Sequence, residues 1–217
     1  METHEEKDMR ISNFVKVLTC AAALQLGAGA AMADDVKNPW QIRVRLIDVA
    51  PDESSTTSIG GQANVDSSLV PELDISYFWT ENWSTELILA TSKHNVTATG
   101  TDLGDLDLGH TWALPPTLLM QYHFNAENSV RPYLGAGVNY TFFYSSDPGD
   151  LTSINYDNGF GLAAQAGVDI DVNDDWFFNL DVKKLWLNTD VSINGGAVTA
   201  DVDLDPWVFG IGFGRRF

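Results

Sequence analysis

The sequence predicts an all-β fold, namely an eight-stranded antiparallel up-and-down transmembrane β-barrel. Eight segments alternate large apolar residues with small or polar ones, which is the period of a β-strand. The connections between these segments alternate between short and long. After the N-terminal region, no stretch of 18 apolar residues occurs, so no transmembrane helix is predicted there. A chain that spans a membrane with strands must close a barrel, because closure pairs every backbone polar group.

The last predicted strand, residues 207–217, shows the alternation most clearly. One face carries large residues and the other carries glycines, which are too small to form a solvated polar surface. Large residues facing lipid and small residues facing a crowded lumen explain both faces. The large residues are Trp207, Phe209, Ile211, Phe213 and Phe217, and the glycines are Gly210, Gly212 and Gly214.

Seven further segments are predicted as strands on the same pattern. They are residues 40–49, 69–79, 83–92, 112–124, 132–143, 159–172 and 176–187. Lys184 falls on the outward face of the seventh segment. Two explanations stay open for it: its ammonium group reaches the membrane interface, or the register slips there.

The connections predict how the barrel is oriented. Bacterial outer-membrane barrels place short turns in the periplasm and long loops outside the cell. We therefore expect both termini in the periplasm. The short turns are 80–82, 125–131 and 173–175, and the long connections are 50–68, 93–111, 144–158 and 188–205.

The N-terminal region predicts export. Residues 1–33 have the pattern of a signal peptide, with the basic residues Arg10 and Lys16, an apolar stretch and the small-residue site Ala31-Met32-Ala33, although residues 1–8 are unusually acidic. The mature barrel would then comprise residues 34–217, with Met9 as an alternative start. A lipoprotein anchor at Cys20 is the less favoured alternative. Because Cys20 is the only cysteine, no disulfide or cysteine-based metal site is expected in the mature chain.

The charge balance excludes some classes of partner. The chain has 30 acidic and 12 basic residues and a formal net charge of −18, which disfavours nucleic acid. Asp102, Asp105 and Asp107 cluster in one long connection, but their spacing departs from that of an EF-hand. A solvated acidic surface is favoured over a divalent-cation site. We expect no cofactor and no metal.

Several segments resemble the OmpW family of small outer-membrane barrels. The matching segments are 114–118 (LPPTL), 131–141 (RPYLGAGVNYT), 167–169 (GVD) before Asp175-Trp176, and 204–209 (LDPWVF) running to Arg216-Phe217. The long connections depart from the family in being more acidic, and Arg215 departs from its usual penultimate aromatic pattern. The resemblance implies a narrow channel for passive transport of small hydrophobic molecules. A terminal aromatic such as Phe217 also resembles an assembly signal for the outer-membrane assembly machinery.

The inward residues predict a lumen with two halves. The periplasmic half carries charges of both signs, which should pair and plug a narrow barrel. The predicted plug comprises Arg43, Arg45, Asp74, Glu86, Asp169, Asp181, Lys183 and Arg216. The extracellular half is apolar, and the predicted channel lining comprises Ile88, Leu119, Leu185, Leu187 and Val208. The alternative is that these apolar side chains only fill the interior.

Pro115 and Pro116 interrupt the fourth predicted strand. Proline has no N–H, and neighbouring residues direct their N–H groups to opposite sides, so the pair weakens the ladder on both sides at one height. We expect a lateral opening here, through which a hydrophobic solute leaves into the outer membrane. Alternatively, the prolines only bend the strand.

The sequence favours the channel over three other functions. An enzyme is not expected, because none of His94, His110 and His123 stands at a recognised spacing from a nucleophile. A structural or receptor barrel with a closed lumen, used for phage, bacteriocin or host contact, remains the alternative. A soluble all-β domain is disfavoured by the aromatic residues near the strand ends. The expected partners are outer-membrane lipid and lipopolysaccharide and a small hydrophobic solute.

Overall fold

The structure is a computed structural model that describes residues 36–57, 61–102 and 104–217. The expected signal peptide, residues 1–33, lies outside the described residues. Fifteen strands occur within these ranges. They are β1 (Trp40–Ala50), β2 (Ser54–Thr57), β3 (Gln62–Val65), β4 (Ser68–Phe78), β5 (Trp83–Ala90), β6 (Ser92–Thr101), β7 (Gly104–Leu114), β8 (Thr117–His123), β9 (Val130–Asp147), β10 (Ile154–Tyr156), β11 (Gly159–Asp171), β12 (Trp176–Trp186), β13 (Asn188–Ile193), β14 (Val198–Asp203) and β15 (Trp207–Arg216).

Eight of these strands form a closed antiparallel barrel, which confirms the predicted fold. Their order around the barrel is β1, β4, β5, β8, β9, β11, β12 and β15, and β15 pairs again with β1. Helical structure in the described residues is limited to a single turn at Asn194–Gly196. None of the helical structure in the described ranges has the length and hydropathy of a membrane-crossing helix. We call the end of the barrel with the tight connections the turn end, and the opposite end the loop end.

The long connections differ from the expectation of irregular loops, because strands continue through most of them. β6 and β7 extend β5 and β8 beyond the barrel. β6 pairs with β3 and β7, and β7 pairs with the upper part of β9. A second small sheet, in the order β10, β13, β14 and β2, stands beside them. The alternation expected of lipid-facing strands did not predict these segments, because their outward residues, such as Lys93 and Asn95, are polar and exposed.

The outward face of the barrel is apolar and carries aromatic residues near both ends. Trp40, Trp83 and Trp176 are exposed near the turn end, and Tyr144 and Trp186 near the loop end. These are the aromatic belts expected of a membrane barrel.

Lys184 keeps the outward register of β12. Its ammonium group reaches the carboxylate of Asp52 at 3.2 Å and lies 5.1 Å from the centre of the Trp207 ring. Of the two explanations for this residue, the structure supports an ammonium group that extends toward the interface.

The inward face of the closing strand β15 is glycine because its neighbours need the space. A Cβ atom added to Gly214 would lie 2.3 Å from the ring of Phe177. A Cβ atom added to Gly212 would lie 2.1 Å from the main-chain oxygen of Val44. The row of small residues on β15 therefore allows β1 and β12 to bring large side chains into the lumen.

Candidate functional site

Charged side chains fill the turn half of the lumen. We call this set the inner charge cluster, and each of its side chains is buried. Its members are Arg43, Arg45, Glu72, Asp74, Glu86, Asp169, Asp181 and Lys183. They come from β1, β4, β5, β11 and β12, so the cluster crosses the barrel from wall to wall.

Arg43 and Arg45 organise the inner charge cluster. Arg43 binds the carboxylate of Asp169 with two hydrogen bonds, of 3.2 and 2.8 Å, and also donates to Glu86. Arg45 donates to Asp74 at 2.7 Å and to Glu72 at 3.1 Å. Such charge-assisted contacts hold buried guanidinium groups in one geometry. The side chains of this network are almost wholly inaccessible.

Lys183 links the cluster to the loop half. Its ammonium group contacts the carboxylates of Glu72 at 2.5 Å and Asp181 at 3.1 Å. Tyr133 donates from its hydroxyl group to Asp181 at 2.6 Å, which ties β9 to β12 across the lumen. These contacts satisfy the single buried lysine of the network with two acidic partners.

Some of these residues were not named from the sequence. Glu72, Tyr133, Asn179 and Gln165 all belong to the network, and Asn179 accepts a 2.6 Å hydrogen bond from Arg45. The alternation along their strands was the available signal, because each faces inward. Alternation alone gives the face of a residue and does not give its partner across the barrel.

Arg216, which was predicted in the plug, lies apart from the inner charge cluster. Its guanidinium group contacts Glu81 at 3.1 Å and the main-chain oxygen of Asn38 at 2.9 Å, and it lies 3.9 Å from the centre of the Phe78 ring. This arrangement is at the rim of the turn end, where the side chain is partly exposed.

An apolar cavity of about 160 Å³ occupies the loop half of the lumen. Its floor includes the Glu72–Lys183 pair, and its upper wall comes from the strands beyond the barrel. The upper wall was missed in the sequence, although inward apolar residues alternate there with polar ones. It comprises Val96, Ala98, Leu106, Leu108, Ile154, Val191, Ile193 and Val202.

The structure places four of the five predicted lining residues on this cavity. They are Ile88, Leu185, Leu187 and Val208. The fifth, Leu119, is 1% exposed and packs below the cavity against Ile88 and Leu185. These three side chains belong to one apolar cluster at the base of the cavity.

Pro115 and Pro116 lie between β7 and β8 and interrupt two ladders at one height. On one side, pairing with β5 ends at Ile88–Thr117, and pairing resumes above it at Ser92–Ala113. On the other side, pairing with β9 ends at Thr117–Asn139 and resumes at Leu114–Phe142. The register is the same above and below the interruption. Pro115 also lines the cavity.

Two of the histidines, His94 and His123, are held by structural contacts. His94 borders the cavity and is bound to the main-chain oxygen of Asp66 at 2.7 Å and to Ser92 at 2.8 Å. His123 lies 3.1 Å from the hydroxyl group of Ser84, but both side chains are sealed at the turn end away from the cavity. Within the described ranges, no three His, Cys, Asp or Glu side chains are grouped so as to hold a metal ion.

Comparison with known proteins agrees with this architecture. The chain is similar to the "Uncharacterized outer-membrane protein y4mB" of Sinorhizobium fredii, with 38% identity covering 94% of this chain and 99% of the relative. It is also similar to the "Dibenzothiophene metabolism operon protein PahQ" of Pseudomonas aeruginosa, with 34% identity covering 83% and 90%.

Among solved structures, the chain is similar to the outer membrane protein OprG from Pseudomonas aeruginosa. The TM-score is 0.78, with 34% identity covering 83% of this chain and 96% of OprG. The model of the OmpW family matches residues 37–217, which is the whole barrel. The chain therefore belongs to the OmpW family.

Proposed function

We propose that this protein is an outer-membrane channel for the passive transport of small hydrophobic molecules. The observation that carries the proposal is the apolar cavity in the loop half, which is closed below by the inner charge cluster. Moving a hydrophobic solute from water into such a cavity lowers its free energy. Moving it through paired buried charges does not, so the turn half acts as a plug.

The orientation follows from the two ends of the barrel. With the turn end in the periplasm, both termini are periplasmic and the acidic loop end faces the lipopolysaccharide leaflet. The long connections carry 13 acidic residues and one basic residue, Lys93. A solute then enters between these loops and reaches Ile88, Leu185, Leu187 and Val208.

The exit is lateral, beside Pro115 and Pro116. Two facts support this route: Pro115 lines the cavity, and both neighbouring ladders are interrupted at the height of the prolines. A wall with fewer hydrogen bonds separates at a smaller cost than an intact ladder. The solute would pass from the cavity into the hydrocarbon of the outer membrane without crossing the inner charge cluster.

The class of solute is small, apolar and aromatic or aliphatic. The cavity wall is almost entirely hydrocarbon, since the upper wall consists of Val, Ile, Leu and Ala side chains. The name of the relative PahQ, which refers to an operon of dibenzothiophene metabolism, agrees with an aromatic solute.

A filled cavity tests the proposal. Ala98 is buried on the cavity wall, so Ala98→Phe inserts a ring where the solute would bind. Ala136 points outward on β9 and is exposed, so Ala136→Phe adds the same ring on the lipid side. Uptake of radiolabelled ethylbenzene by cells with equal amounts of folded barrel should fall severalfold for Ala98→Phe only. Equal uptake by wild type, Ala98→Phe and cells without the protein would reject the channel.

A further inference from the structure

Two buried hydroxyl groups on the apolar cavity have no hydrogen-bond partner among the described residues. They are Thr141 Oγ and the Tyr156 hydroxyl, and both residues line the cavity. Just below, both polar atoms of the Asn139 amide are also buried without a partner. Most buried polar groups in proteins are hydrogen-bonded, so each exception requires an explanation. A ligand with one polar group at the base of the cavity would explain the buried hydroxyl group of Thr141.

These groups lie where the barrel wall is interrupted. Asn139 and Thr141 occupy successive inward positions of β9, about 7 Å apart along the strand. Asn139 pairs with Thr117, the last residue before the proline interruption, and Thr141 stands beside the prolines. The hydroxyl group of Thr117 donates to the main-chain oxygen of Pro115 at 2.9 Å. Thr141 therefore presents its hydroxyl group to the base of the cavity without a competing partner.

The size of the cavity limits the ligand to about one ring. An apolar cavity of about 150 Å³ is large enough to bind benzene, and this cavity measures about 160 Å³. The ligand is also expected to be uncharged. Lys183, the cation at the floor, already contacts Glu72 and Asp181, so a carboxylate would find no free positive charge there.

We propose that the cavity selects small apolar molecules bearing one uncharged hydroxyl or carbonyl group, and that Thr141 binds this group. The inference rests on the proposed function, because it names the solute class of the same cavity. The hydrocarbon part of the solute lies against Ile88, Leu185 and Val208. The polar part forms a hydrogen bond with the orphaned hydroxyl group of Thr141. Selection comes from hydrogen bonding that a pure hydrocarbon cannot offer.

Benzyl alcohol and ethylbenzene form a matched pair of probes, because they have almost the same shape and differ by a hydroxyl group. Their binding to the full barrel in lipid nanodiscs would be measured by NMR titration, with empty nanodiscs correcting for partition into lipid. After correction for partition into lipid, the wild-type barrel should have a higher affinity for benzyl alcohol than for ethylbenzene. Thr141→Val keeps the side-chain shape and should weaken benzyl alcohol about tenfold, the effect of one hydrogen bond. Ethylbenzene should bind Thr141→Val as well as wild type.

Two further variants separate binding from folding. Thr141→Ser keeps the hydroxyl group and should retain the preference for benzyl alcohol. Thr189 also lines the cavity, but its hydroxyl group donates to the main-chain oxygen of Asp157 at 2.8 Å. Thr189→Val should therefore leave the preference unchanged.

The outcomes distinguish the two proposals. If wild type and Thr141→Val bind both probes with the same ratio, the polar selection is overturned and the hydrophobic channel stands. If wild type binds neither probe, both are overturned. A loss of preference in Thr189→Val equal to that in Thr141→Val would also overturn the role of Thr141.

Discussion

The main-chain N–H of Tyr140 donates to the carbonyl oxygen of Pro116 across 3.1 Å. This hydrogen bond lies between the two parts of the β9 ladder, which end at Asn139 and resume at Phe142. The chain therefore keeps its register through the proline pair while losing the bonds that the prolines cannot donate. For the proposed lateral exit, we expect a barrel wall with this local weakness and an intact register to open without rearrangement of the strands.

Replacing both prolines should close the lateral route. The double variant Pro115→Ala/Pro116→Ala regains two N–H donors, so we expect the ladders to continue through the interruption. Ethylbenzene uptake should fall severalfold at equal barrel abundance, and the barrel should resist urea at least as well as wild type. Pro71→Ala is the control, because Pro71 lies within β4 on the exposed face and away from the cavity. Wild-type uptake by the double variant would reject the lateral route.

Removing Arg43 should destabilise the barrel strongly. Arg43→Met leaves Glu86 and Asp169 buried without their guanidinium partner, and breaking a buried pair in this way costs about 3–5 kcal/mol. Arg131→Met is the control, because its partner Asp171 is at the partly exposed rim and such pairs contribute under about 1 kcal/mol. Urea unfolding in lipid vesicles, followed by tryptophan fluorescence, measures both. In a double-mutant cycle, Glu86→Gln should recover part of the loss, and simple additivity would contradict the coupling.

The glycines of β15 should differ in their tolerance of alanine. A Cβ atom at Gly212 would meet the main-chain oxygen of Val44 at 2.1 Å, which only a backbone shift can relieve. A Cβ atom at Gly210 would meet side-chain atoms of Arg45 and Ile47 at 3.2 Å, which can move slightly. Gly212→Ala should therefore lower the yield of heat-modifiable barrel on SDS gels severalfold, and Gly210→Ala should lower it little. Equal yields would show that the space on β15 is not limiting.

The sequence predicted the barrel because lipid enforces a simple rule on each strand. In β15 the outward residues had to be large and apolar, so the pattern from Trp207 to Phe213 was unambiguous. Beyond the membrane this rule ends. Val96 and Ala98 in β6 alternate with polar residues that face water, so the pattern predicted a loop although these residues form part of the cavity wall.

The partners within the lumen were less predictable than the strands. Alternation placed Arg45 inside, but its hydrogen bond to Asn179 joins residues 134 positions apart. That contact depends on the stagger of strands around the barrel, which no local pattern specifies. The unpartnered hydroxyl group of Thr141 could not be predicted for the same reason. Whether a partner is present depends on the side chains of neighbouring strands, whose positions no local pattern specifies.

Acidification should loosen the loop end through His94. Burial lowers the pKa of His94, and the nearby main-chain oxygen and carboxylate of Asp66 only partly oppose this effect. Below about pH 6.5, the usual histidine pKa, the unfolded segment binds a proton that the folded segment does not. The contribution of His94 to the stability of the loop end is therefore present above that pH and is lost as the pH falls toward the lowered pKa of the folded state.

Hydrogen exchange in β6, corrected for its intrinsic pH dependence, should be faster at pH 5 than at pH 7.5. The same pH dependence in His94→Gln would exclude this residue as the cause.

Deleting Phe217 should impair assembly without changing the lumen. Phe217 and Trp40 exchange two main-chain hydrogen bonds, of 3.0 and 2.8 Å, at the seam where β15 meets β1. The ring of Phe217 is 45% exposed on the outward face, so it is available to the assembly machinery and to lipid. The deletion removes both the ring and the last bonds of the seam, whereas Phe217→Ala removes the ring alone.

If the ring is the signal, both variants should insert into the outer membrane severalfold less than wild type, as measured by heat-modifiable barrel in membrane fractions. Normal insertion of Phe217→Ala with a defective deletion would assign the effect to the seam, and normal insertion of both would remove Phe217 from assembly altogether.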